Sequence, residues 1–220
     1  MSPKKIFPIL DWLPRYKKAN LTGDYNVFIG SNCGDAATDV DKCVAIGSLA
    51  MSAVATQDGT IAIGYKAGAA ITSGIGNVAI GSGSLAANAT SDFNTAVGNA
   101  SLQSNTTGAY NTAIGYNALS AITTSYNCVA VGATAGAANA VHDLTAIGAN
   151  CLDANTTGAS NTGLGSHALT VNTTGGSNVG LGALSLTANT TGHSNTAIGN
   201  DSLEANTTGY KNTATGAFSL

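Results

Sequence analysis

The sequence predicts an all-β protein, a parallel β-solenoid (a β-roll) of about twelve 17-residue coils over residues 26–220, preceded by a non-repeat segment over residues 1–25. Two observations carry the prediction. A glycine-ended tetrad recurs at a fixed interval, and aliphatic, alanine and asparagine positions keep step with it. Composition agrees: 9% of residues are charged and 44% hydrophobic, whereas an ordinary soluble domain is about 25% charged and a disordered chain is charged and poor in apolar residues. Small residues with regularly spaced aliphatics suit narrow, close-packed layers.

The tetrad glycines are Gly30, Gly47, Gly64, Gly81, Gly98, Gly115, Gly132, Gly148, Gly165, Gly182, Gly199 and Gly216. Of the eleven steps between them ten are 17 residues and one, running through Ala133–Thr145, is 16. Such self-similarity marks a repeat architecture. Positions are numbered here from the glycine, so that Ile114, Ala113 and Asn111 are −1, −2 and −4 of Gly115, and Leu119 is +4. Each unit holds two short apolar segments, as in Thr112-Ala113-Ile114 and Ala118-Leu119, separated by turn residues. Seventeen residues are too few for two helices with their turns. They suit two short strands and two turns, one coil of a solenoid.

Alternation along a strand gives each column a side. The −1 column (Ile29, Ile46, Ile63, Ile80, Val97, Ile114, Val131, Ile147, Leu164, Leu181, Ile198, then Thr215) is expected to face inward. The +4 column (Leu85, Leu102, Leu119, Leu152, Leu169, Leu186, Leu203, Leu220) joins it, with Gly34, Met51, Gly68 and Gly136 in the other coils. Coils stacked about 4.8 Å apart would make a core about 58 Å long. The −2 column is Ala or Gly from Ala45 to Ala214. It faces away from Ile, and its constant smallness implies a close neighbour, either the opposite wall of a flat roll or another subunit. Ala113 and Ala197 are therefore candidate assembly residues.

Two asparagine columns accompany these, one at −4 (Asn77, Asn94, Asn111 and others) and one at +7 (Asn88, Asn105, Asn155 and others). They read as turn formers rather than ligands, and stacked amides can also ladder along the axis. Cys33 and Cys151 stand where Ala or Ser is usual, and Cys43 and Cys128 replace the −4 Asn. With same-register partners coils apart and no CxxC pair, they read as buried small-residue substitutes. His142, His167 and His193 are expected to form no column, and the Asp residues to be out of register, which argues against calcium-binding repeats. No catalytic constellation, cofactor motif or metal-ligand set is found. The Thr pairs, such as Thr106-Thr107 and Thr156-Thr157, raise ice binding as a minor alternative. The expected neighbours on opposite sides of the chain, without a Thr-x-Thr face, argue against it.

Charge narrows the partners. Residues 26–220 carry three lysines against nine acids, which lacks the basic footprint of a nucleic-acid binder. No stretch approaches the roughly 20 apolar residues of a transmembrane helix. Residues 1–25 hold five basic residues against Asp11 and Asp24, with Pro3, Pro8 and Pro14 interrupting any signal-peptide core.

The tetrads Asn77-Val78-Ala79-Ile80-Gly81 and Asn195-Thr196-Ala197-Ile198-Gly199 resemble the head repeats of trimeric autotransporter adhesins, and Asn189-Thr190-Thr191-Gly192 leading into the latter resembles repeats of phage tail fibres and bacterial surface proteins. The resemblance implies a left-handed roll, trimerisation and an extracellular, cell-surface or virion location. The 17-residue unit is somewhat longer than the usual head repeat, and neither a heptad stalk nor a C-terminal membrane anchor is seen before Leu220. The run Ile6-Phe7-Pro8-Ile9-Leu10-Asp11-Trp12-Leu13-Pro14-Arg15-Tyr16, followed by Leu21-Thr22-Gly23-Asp24, resembles the cytoplasmic leader of SulP-type anion transporters, although no membrane helix follows it.

The expected function is that of a non-catalytic structural protein, a self-assembling fibre or filament subunit whose partner is a homotrimer or head-to-tail polymer of itself. A trimeric adhesin head binding a host or matrix ligand is the alternative. Phe7, Trp12 and Tyr16 in the non-repeat segment, and Leu220 at an uncapped last coil, complete the expected assembly residues.

Overall fold

A computed structural model describes residues 22–220; the N-terminal candidates Phe7, Trp12 and Tyr16 lie outside them. Twelve three-residue strands, β1 (Val27–Ile29), β2 (Val44–Ile46), β3 (Ile61–Ile63), β4 (Val78–Ile80), β5 (Thr95–Val97), β6 (Thr112–Ile114), β7 (Val129–Val131), β8 (Thr145–Ile147), β9 (Thr162–Leu164), β10 (Val179–Leu181), β11 (Thr196–Ile198) and β12 (Thr213–Thr215), form one parallel sheet in chain order. The chain is a β-solenoid of about eleven turns, and like positions pair, as in Thr95↔Thr112, Ala96↔Ala113 and Val97↔Ile114. The short step keeps that register, Val129 pairing with Thr145.

The one-residue deletion lies in the corner after Asn139. Elsewhere the +7 asparagine reaches a carbonyl three residues on, as Asn105 Nδ2 does to Gly108 O at 2.8 Å. Asn139 Nδ2 instead reaches Val141 O, two residues on, at 2.7 Å. The corner absorbs the loss, so the strands on either side need not shift.

Each coil has one strand, not two. The second apolar segment is a run of turns with a left-handed backbone at +2 and +4, for example φ 53° at Asn117 and φ 50° at Leu119. It still bonds from coil to coil: Leu119 N–H donates to Ala135 O at 3.0 Å and Asn117 N–H to Asn99 O at 3.0 Å. The left-handed backbone explains the composition of the +4 column. It contains Leu, Met and Gly and no β-branched residue, because branching at Cβ is poorly tolerated at positive φ. The repeat glycine is required for a second reason. Gly64 has φ 136°, and a Cβ there would stand 2.6 Å from Gly81 O in the next coil.

The sides of the strand are the reverse of the sequence expectation. The −2 column is buried throughout, and the −1 column, expected to line the core, lies on the outer face with −3. The width of the lumen is the reason. The +4 leucine crosses it, so that a Cβ placed on Gly180 would already be 3.4 Å from Leu169 Cδ1. Leu facing Ala fills this space, and Leu facing Ile would overfill it. The +4 column does face inward from Leu85 to Leu203. Where +4 is glycine, a larger neighbour takes the volume: the Phe28 ring lies 3.0 Å from a Cβ built on Gly34, Ile71 Cδ1 2.8 Å from one on Gly68, and Leu144 Cδ2 2.9 Å from one on Gly136.

Candidate functional site

The outer face of the sheet is a regular surface. Its −3 column reads Val, Val, Ile, Val, Thr, Thr, Val, Thr, Thr, Val, Thr, Thr from β1 to β12, and its −1 column is aliphatic until Thr215. Ile29 is 42% exposed, Ile114 41% and Leu164 49%. The neighbouring +1 column holds Ser, Asn, Ala and the exposed Tyr65 and Tyr116. No charged residue occurs at −3, −1 or +1 in any of the twelve coils. The charges of the described body sit elsewhere in the coil, before the strand as at Asp58 and Asp143 or in the run of turns after it as at Lys66 and Glu204. A flat, uncharged, β-branched stripe therefore runs the length of the stack.

Among the sequence-predicted assembly residues, Ala113 and Ala197 are fully buried inside their own chain. The close neighbour inferred for them is the opposite wall of the same coil, so they offer nothing to another subunit. Leu220 is 86% exposed. The groups that face outward are the Ile, Val and Thr residues on either side of each alanine.

The asparagines form the polar half of the interior. Asn172 Nδ2 donates to Asn155 Oδ1 at 2.9 Å and to Gly175 O at 2.9 Å; Asn189 Nδ2 repeats the pattern to Asn172 Oδ1 at 2.8 Å and Gly192 O at 3.0 Å. The −4 column runs alongside it. Asn94 N–H donates to Asn77 Oδ1 at 2.9 Å, and Asn94 Nδ2 to Gly108 O at 2.9 Å. The stacked amides thus satisfy one another and the corner carbonyls, which buried polar groups require. Ile122, Cys128 and Leu144 interrupt both columns near the middle of the stack, and there Ser125 Oγ has no hydrogen-bond partner. Gln57, in an early coil whose +7 residue is Val54, likewise has an unpartnered side-chain amide.

Two register expectations are corrected. Asp24, Asp41, Asp58 and Asp92 all stand at −6. Their role is local: Asp58 Oδ1 accepts Asp41 N–H at 2.9 Å, and Asp92 Oδ1 accepts Ile75 N–H at 2.9 Å, each carboxylate capping the coil before it. His142 and His193 share the same column. His142 Nδ1 accepts Tyr126 N–H at 3.1 Å, and its ring stacks on Tyr126 with centroids 3.8 Å apart. His193 stacks on Tyr210 at 5.2 Å, while His167, at +2, bonds Asn150 at 3.0 Å. Among the described residues no group of three or more His, Cys, Asp or Glu is placed to hold a metal ion. No helix among them is long and apolar enough to cross a membrane.

All four cysteines are buried and unpaired. Burial pushes the Cys33 thiol up to about 11 and the Cys151 thiol to about 12, and it raises those of Cys43 and Cys128 as well. In four pairs the first threonine is engaged in the stack, as where Thr106 Oγ1 donates to Thr123 O at 3.0 Å and Thr173 Oγ1 to Thr190 O at 3.1 Å. In those pairs the second threonine keeps its hydroxyl for solvent. Set against protein-family models, curated proteins and solved structures, the chain matches none of them.

Proposed function

We propose that the protein is a non-catalytic structural subunit, of extracellular or viral-fibre type, that assembles side by side with copies of itself through the outer face of its sheet. The carrying observation is the twelve-row stripe without a single charge, flanked by Tyr65 and Tyr116. Monomeric soluble proteins rarely leave a long apolar strip to water. The band from −3 to +1 covers about 950 Å² at roughly 3.3 Å per residue and 4.8 Å per coil, comparable with the roughly 800 Å² that each partner contributes to a standard interface. Copies of the chain fit because they present the same rise per coil, so one row of contacts repeats along the whole stack.

The resemblance to adhesin heads makes a trimer the natural closed form, with a longitudinal polymer as the other. A trimeric head that also holds a host or matrix ligand is the second reading. It is favoured by exposed aromatics at the corner beyond the strands, where Phe93 stacks on Tyr110 at 5.6 Å. Electron microscopy of the purified chain tests the first reading: fibres or paired rods are expected, and they should be lost in the Ile114→Lys, Leu164→Lys double variant. Single, unassociated particles for the native chain would overturn it.

A further inference from the structure

The Asn-Thr-Thr-Gly corner has the form of an N-glycosylation acceptor, Asn-x-Ser/Thr, which ordinarily signals a surface loop. Among the described residues this form occurs at Asn88, Asn99, Asn105, Asn155, Asn172, Asn189, Asn200 and Asn206. The structure divides them. Asn88, Asn105, Asn155, Asn172 and Asn189 are fully buried in the +7 ladder, and Asn206 continues it in the last coil. Asn99 and Asn200 stand at +1 and are exposed.

We propose that a glycan and the folded solenoid exclude one another at the buried ladder asparagines, and that Asn99 and Asn200 are the acceptors whose glycans the fold accommodates. Transfer from a lipid-linked oligosaccharide pyrophosphate forms a bond from the sugar C1 to the amide Nδ2. It breaks the bond from C1 to phosphate, releases the lipid pyrophosphate, and passes one amide proton to a base of the transferase. At the ladder sequons from Asn105 onward both hydrogens of that nitrogen are already engaged. Asn105 Nδ2 donates to Gly108 O at 2.8 Å and Ser91 Oγ at 3.2 Å. Asn155 Nδ2 donates to Gly158 O at 3.0 Å and Asn139 Oδ1 at 2.9 Å. The lumen has no room for a sugar ring: a Cβ built on Gly158 would already stand 2.8 Å from Asn155 Oδ1 and 2.9 Å from Asn161 Nδ2. The third sequon residue at Asn99 and Asn200 is a buried serine, Ser101 or Ser202. Transfer there precedes folding, and the sugar then projects from the exposed +1 amide, at the edge of the face proposed for self-association, so a chain glycosylated there folds but does not pair through that edge. The chain therefore reaches its folded state intact only where this transferase does not act on the ladder.

The test expresses the whole chain in cultured eukaryotic cells, once in the cytosol and once behind a cleavable secretory leader. Site-by-site glycan occupancy is read by mass spectrometry on the protease-resistant folded fraction. A third arm carries Thr90→Ala, Thr107→Ala, Thr157→Ala, Thr174→Ala, Thr191→Ala and Thr208→Ala through the secretory route. These hydroxyls bond nothing within the stack, so the changes remove the acceptors and leave the ladder intact. The expected result is folded cytosolic chain, loss of folded material for the secreted native chain, and recovery in the third arm with glycans on Asn99 and Asn200. A glycan on any buried ladder asparagine of folded protein overturns the exclusion, as does a third arm that stays unfolded. A folded third arm bare at Asn99 and Asn200 overturns their assignment.

Discussion

Cys151 and Gly163 share one space in the core: a Cβ on Gly163 would collide with the Cys151 sulfur twelve residues earlier in the chain. Most other coils place Ala or Ser at the first position and Ala at the second, the exceptions being Cys33 facing Ala45 and Ala168 facing Gly180. The larger residue on one wall is matched by the smaller one across the lumen.

The pair predicts a coupled response. Gly163→Ala alone should destabilise the chain by about 1–3 kcal/mol, the usual effect of overpacking. Adding Cys151→Ala should restore most of the loss, because Ala facing Ala is what other coils contain. Urea midpoints of the two single variants and the double variant check it. Additive losses would show that the two residues do not compete.

The thiols should resist modification. Burial holds Cys33 near 11 and Cys151 near 12, so neither ionises in the native state at pH 8. An aromatic disulfide reagent should react with both only after denaturation. Because folding raises these values above the ordinary thiol value of 9.0, the stabilisation is complete below pH 9 and declines as pH rises toward 11 to 12. Alkaline melts should show that decline, weakened in the Cys33→Ala, Cys151→Ala variant.

Leu119 at φ 50° should tolerate Met and reject Ile. Hydrophobic swaps of equal volume usually cost less than about 1.5 kcal/mol, whereas a strained backbone position costs about 1–3 kcal/mol. Leu119→Ile should therefore lower the thermal midpoint well below that of Leu119→Met. Equal midpoints would mean that the turn is not held left-handed.

Asn172→Ala removes one rung of the amide ladder. It leaves one hydrogen of Asn189 Nδ2 without a partner, while Asn155 Oδ1 and Gly175 O keep the bond from Asn161 Nδ2, at about 1–3 kcal/mol for an unsatisfied buried group. Amide exchange in the coils on either side should accelerate. Thr174→Ala, whose hydroxyl faces solvent, should change exchange little.

The period, the twelve parallel coils and the inward leucines were all legible in the sequence, because the glycine and Leu columns mark the coil directly. The side of Ile114 was not. Alternation says only that Ile114 and Ala113 face opposite ways, and the choice depends on the lumen width that Leu119 leaves. A usable signal existed in the −3 column, where Thr replaces Val or Ile in six coils, from Thr95 to Thr213. A dry core would not accept that exchange so freely. The absence of β-branched residues at +4 likewise pointed to a left-handed turn in place of a second strand. The −6 Asp column required counting from the following glycine, which brings Asp41 and Asp58 into one register.

Mass in solution tests most directly the proposed association of copies through the outward Ile and Val rows. Sedimentation equilibrium of the native chain should give a multiple of the 21.6 kDa chain mass, while Ile114→Lys with Leu164→Lys should give the single-chain mass with an unchanged circular-dichroism spectrum. A native chain that sediments as a monomer at the same concentration would contradict the account.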